Sequence, residues 1–98
     1  MKINHIFSSG VYIKETHFLA GESGEKHTHE YNHLSILASG KVELVIDGVS
    51  VFKTAPEVIT ITAGRSHRVI ALTDATWLCC HATDCTDPDL VDGVLIGA

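Results

Sequence analysis

The sequence predicts an all-β fold, closed as a sandwich or a barrel. Three observations lead there. Runs rich in valine, isoleucine, threonine and aromatic residues alternate with period two, as strands with one covered face do. Turn chemistry punctuates those runs at close, fairly regular spacing, with Asp47-Gly48 the strongest hairpin signal. No window of about 11 residues or more carries a helical period. Runs of this kind, closely spaced and joined by turns, are how two packed sheets or a closed barrel read in sequence.

The elements follow in order. Residues 11–20 (VYIKETHFLA) alternate and form a strand, and Gly21 to Lys26 is a loop. HLSILAS (33–39) is a strand that Gly40 ends. VELVI (42–46) and VSVFKT (49–54) flank Asp47-Gly48 as a type I′ hairpin. Ala55-Pro56-Glu57 turns into a strand at 58–62, and 63–66 turns into another at 67–72. Thr73-Asp74-Ala75 leads to a strand at 76–83. Residues 90–98 (LVDGVLIGA) read as a last strand, an extended tail or a short helical turn. The count is seven to nine strands in one domain, 1–98, without an internal repeat or linker.

Composition narrows the function. The formal net charge is −5 and lysine and arginine are scattered, so neither nucleic acid nor a membrane surface is the expected partner. No apolar run approaches the roughly 20 residues of a membrane span. MKINHIFSSG lacks the apolar stretch of a signal peptide, and the expected location is cytoplasmic. Three cysteines, Cys79, Cys80 and Cys85, form no CxxC. Neighbouring strand residues face opposite ways, which makes a 79–80 disulfide geometrically poor. Reduced thiols are one reading. A zinc or copper site of Cys79, Cys80, His81 and Cys85 is the other, though it lacks the common ligand spacings.

The stretch KHTHEYNHLSILASG carries the chemistry. His27, His29 and His33 share parity, so on extended chain all three face one way, with Leu37 beside them and Leu34 and Ile36 opposite. At a rise of about 3.3 Å per residue, His27 and His29 lie about 7 Å apart and can converge on one ion. His33 lies about 13 Å beyond His29 on a straight strand, so convergence requires a bend at Glu30-Tyr31-Asn32. His67 opens a later strand after Gly64, which permits a tight turn. A rolled sheet would bring His67 back over the triplet. The alternative is that each histidine is solvated or hydrogen-bonded for itself.

In this pattern the sequence resembles the cupins. Their first motif is Gly, five residues, His-x-His, three or four residues, Glu, six residues, Gly. Gly21, His27-Thr28-His29, His33 and Gly40 stand in that register, with His33 in place of the glutamate. The second motif, Gly, five residues, Pro-x-Gly, two residues, His, three residues, Asn, is matched at Gly64 and His67. Pro56, Thr62 and Ala71 replace its first Gly, its Pro and its Asn. Fifteen residues separate the motifs. More narrowly, the chain is similar to small single-domain cupins of bacterial and bacteriophage genomes.

The resemblance implies a double-stranded β-helix, a jelly-roll barrel, with a divalent transition metal held by His27, His29, His33 and His67. Zinc, iron, manganese, nickel and copper all suit such a set. Replacing glutamate by histidine leaves the site with one more positive charge, which favours anionic ligands. Four imidazoles on an octahedral ion leave two positions for a small enolate, diol or carboxylate. Around the site, Trp77, Cys79 and His81 share one strand face and Leu78, Cys80 and Ala82 the other; either set is free to point inward. An inward His81 would move a proton or orient a ligand, and an outward one would be surface. An inward cysteine would be core packing or part of the site. Tyr31 is a candidate gate, and Arg65 with Arg68 a candidate anion attractor. His5 and His17 are read as non-ligands. The resemblance also implies a homodimer.

Three functions remain: a metal-dependent enzyme, oxidoreductase (dioxygenase-like) or isomerase, on a small oxygenated substrate; a non-catalytic module binding a metal or small ligand; and a structural accessory protein.

Overall fold

A computed structural model describes residues 1–24, 26–28, 32–83 and 86–89; for His27 the backbone alone is described. Nine strands are present among them: β1 (Lys2–Ser8), β2 (Val11–Phe18), β3 (His27–Thr28), β4 (His33–Ser39), β5 (Lys41–Ile46), β6 (Val49–Thr54), β7 (Glu57–Ile61), β8 (Ser66–Ala71) and β9 (Ala75–Ala82). No helix among the described residues is long and apolar enough to cross a membrane.

The strands form two antiparallel sheets, of order β1-β2-β9-β4-β7 and β3-β8-β5-β6. Beyond β2 the chain alternates between them: β3 in the second, β4 in the first, β5 and β6 in the second, then β7, β8 and β9 in turn. This is the winding of a double-stranded β-helix, the expected jelly roll.

Alternation builds the core. Val42 and Leu44 on β5, Val69 and Ala71 on β8, and Leu37 and Trp77 on β4 and β9 all point between the sheets and form one buried cluster. Each fully buried Leu or Val side chain contributes about 1.5–3 kcal/mol. The expected I′ hairpin is present: Asp47 and Gly48 have φ of 49° and 81°, joining β5 to β6. Ala55-Pro56 is cis.

Five expected strands, 11–20, 42–46, 58–62, 67–72 and 76–83, are found with their ends moved by a residue or two, and 33–39 and 49–54 are found as expected. The strand β1 was missed. KINHIFS alternates weakly, with Ile3, His5 and Ile6 all exposed, so the periodic signal was poor. What makes it a strand is its pairing along the whole of β2, from Lys2 opposite His17 to Ser8 opposite Val11. The expectation for 90–98 lies outside the described residues.

Candidate metal centre

Two strands from opposite sheets carry the first pair of histidines. On β4, His33, Ser35 and Leu37 are buried and Leu34, on the opposite face by parity, is exposed. On β8, His67, Val69 and Ala71 are buried and Arg68 is exposed. The His33 and His67 ring centroids lie 5.5 Å apart. His27 is the Cα partner of His67 in the β3–β8 ladder. That pairing is prepared upstream. Gly21 donates to the Ala71 carbonyl at 2.8 Å, Ala71 back to Glu22 at 2.8 Å, and Gly24 to Val69 at 3.0 Å, so residues 21–24 already run along β8.

The bend demanded by strand geometry also has a structural basis. His27 sits in the four-stranded sheet and His33 in the five-stranded one, so the chain changes sheets between them. Asn32 accepts a hydrogen bond from the Ala63 amide at 2.8 Å through Oδ1, tying the residue before His33 to the turn before β8. On the far side, Asp47 Oδ1 accepts from the Ser66 amide at 2.9 Å and fixes the residue before His67. His29 and Tyr31 lie outside the described residues.

The strand β9 takes the orientation left open: Trp77, Cys79 and His81 point inward. His81, the inward alternative to a surface histidine, is 5% exposed, as are His33 and His67. Its ring stacks on His33 at 4.7 Å and on Tyr12 at 6.0 Å. Tyr12 is fully buried and hydrogen-bonded to His5 Nδ1 at 2.6 Å. Cys79 is half-buried as a residue, but its sulfur turns inward and accepts hydrogen bonds from Trp77 Nε1 at 3.2 Å and Ser35 Oγ at 3.8 Å. The donor atoms of His33, Cys79 and His81 all lie within 4.8 Å of one another. Burial pushes the Cys79 thiol up from its ordinary value, opposed by the two hydrogen bonds and by Lys14.

Of the alternative site of Cys79, Cys80, His81 and Cys85, Cys79 and His81 come together and Cys80 does not join them. Cys80 lies on the opposite face of β9 from Cys79 and His81, so these neighbours cannot share an ion. Cys85 lies outside the described residues. Arg65 is exposed in the turn before β8, its Nε 3.9 Å from Asp47 Oδ2. Arg68 is exposed and donates to Ser23 Oγ at 2.7 Å, which secures the 21–24 segment. His17 engages Glu15 at 2.8 Å and Thr76 at 3.1 Å, and His5 reaches the cluster through Tyr12, outside the donor group.

The donor set fits a transition metal. Imidazole nitrogens with a nearby sulfur suit zinc, copper, nickel or iron far better than magnesium or calcium. His33, Cys79 and His81 stand on β4 and β9 of one sheet, and His67 faces His33 from the other.

A family model described as "Cupin domain" matches residues 14–81. The chain is a cupin. Solved structures overlay it well. An RmlC-like cupin from Desulfovibrio desulfuricans is 25% identical with a TM-score of 0.74, over 83% of this chain and 80% of that one. KdgF from Halomonas is 16% identical with a TM-score of 0.70, over 80% and 74%. An oxalate oxidase is 20% identical with a TM-score of 0.65, over 76% of this chain and 42% of its own. Likeness at the lower identities speaks for the fold. No curated protein sequence matches the chain.

Proposed function

We propose that this cupin holds a divalent transition metal through His27, His29, His33 and His67 and acts on a small oxygenated substrate as an oxidoreductase or isomerase. One observation carries the reading. His33 and His67, buried on facing sheets, have ring centroids 5.5 Å apart, and the backbone of His27 lies opposite His67. Motif positions 40 residues apart, from His27 to His67, thereby meet.

When bound, the metal supplies Lewis acidity to a substrate oxygen. The chain supplies the rest. His81 stacks on His33 and holds the plane of that ring, and Tyr12 backs His81 in turn. Val69, Leu37 and Trp77 close the interior behind the histidines and exclude water from that side. The test is elemental analysis of protein purified without added metal, followed by a panel of small enols, diols and thiols. Expected are a transition metal near one per chain and a reaction that His67→Ala abolishes. Metal-free protein that takes up no transition metal would sink the reading.

A second reading is favoured by a specific observation: the donor group among the described residues contains no carboxylate to act as acid or base. A non-catalytic module would bind a small anion at the metal without turnover. Ligand binding by calorimetry with no product separates it from the enzyme.

The chain is also proposed to pair with a second copy through the outer face of its five-stranded sheet. There Ile6, Ile13, Cys80 and Leu34 stand in register across β1, β2, β9 and β4, with Val58 beside them at 65% exposed. Sedimentation at micromolar concentration should give the dimer mass, and Leu34→Glu the monomer.

A further inference from the structure

The sulfur of Cys79 has surroundings that packing alone does not require. A buried thiol serving as core needs only hydrocarbon around it. Here the Trp77 indole N–H at 3.2 Å and the Ser35 hydroxyl at 3.8 Å both donate to Sγ. A neutral thiol is a weak acceptor, whereas two donors aimed at one sulfur suit an anionic one. Lys14 stands opposite Cys79 in the β2–β9 ladder and adds a positive charge on that side. The sulfur is also within 4.8 Å of a donor nitrogen of His33, a residue of the proposed metal set.

We propose that Cys79, through Sγ, is a ligand of the same cation that His33 holds, making the centre a mixed nitrogen–sulfur site. This rests on the reading that the histidine cluster binds metal. On binding, the thiol proton leaves to solvent and a sulfur–metal bond takes its place, without change of oxidation state. Bonds of about 2.05 Å to nitrogen and about 2.3 Å to sulfur place two neighbouring donors about 3.1 Å apart at octahedral angles. The spread of up to 4.8 Å in the structure therefore closes by about 1.7 Å, within reach of side-chain rotation. A thiolate donor selects zinc or copper(I) over manganese or magnesium.

The test loads the full chain with Co²⁺ and reads the near-ultraviolet thiolate-to-cobalt charge-transfer band and the sulfur shell in X-ray absorption. Expected are the band and a sulfur scatterer at about 2.3 Å in the wild type. Both should survive in the Cys80→Ser/Cys85→Ser double variant, whose remaining thiol is Cys79. Both should vanish in Cys79→Ser. Cobalt bound through nitrogen and oxygen alone, or a sulfur shell lost in the double variant, overturns the inference and leaves the proposed function standing. A folded wild type that binds no cobalt overturns both. Should Cys79→Ser not fold, the double variant still decides.

Discussion

The two ends of the barrel interior are built from the same strands and are chemically opposite. At one end Leu37, Trp77, Phe18 and Ala71 pack as hydrocarbon. At the other, His33, His81, Tyr12 and His67 gather as buried polar rings. Leu37 and His33 stand four residues apart on β4, as do Trp77 and His81 on β9 and Ala71 and His67 on β8. Each pair shares a face because four is an even step along a strand. The difference teaches that one end secures the barrel so that the other can hold costly polar groups in place.

The largest effect should come from the hydrocarbon end. Leu37→Ala leaves a cavity at a fully buried position and should cost about 2–5 kcal/mol in urea unfolding, while the metal bound per folded chain stays unchanged. Gly40→Ala sharpens the same point through the backbone. Gly40 has φ +86°, and a Cβ there would collide with the Asp74 carbonyl and Ala75. A loss of about 2 kcal/mol or more is expected from strain alone. His67→Ala should invert the pattern: at limiting metal, occupancy should fall at least about tenfold, and the urea midpoint should move less than in Leu37→Ala. If both variants lose stability and metal equally, the two ends are not separable.

Smaller effects concern the supports. Asp47→Ala removes the carboxylate that accepts from the Ser66 amide and should cost about 1 kcal/mol. Alkaline pH gives the mildest contrast. Burial raises the Cys79 thiol in the folded state above its ordinary value of 9.0, so the native chain keeps a proton that the unfolded chain releases. That contribution to stability is complete below the unfolded thiol pKa and is lost as pH rises through the folded one. Metal-free wild type should therefore weaken above about pH 9 more than Cys79→Ala does, read from urea midpoints. Equal slopes would mean that the sulfur is more solvated than its neighbours suggest.

Much of this was legible beforehand, for local reasons. The strand at 33–39 was legible, and so was the shared face of His33, Ser35 and Leu37; which of its two faces turns inward was not, because apolar Leu34 and Ile36 stand on the other one. The Asp47-Gly48 hairpin was legible because few dipeptides tolerate positive φ twice. The strand β1 was hidden because an edge strand needs little alternation of its own when a full partner pairs with it. The candidate cluster was legible in His33 and His67 and half legible in His81, whose strand face parity left open. Cys79 was grouped in sequence with His81, which does stand beside it, and with Cys80, which lies on the other face, since adjacency says nothing about which sulfur turns inward.

Alone, the sequence determined the strand pattern, the hairpin, the histidine register and the shared face of Trp77, Cys79 and His81, because each depends on residues near one another in the chain. Tertiary structure alone decided that this face turns toward His33, that His27 lies opposite His67, and that the chain changes sheets between Thr28 and His33. The physical reason is that alternation fixes which side chains share a face but not which face is covered. Only the packing of one sheet on another makes that choice.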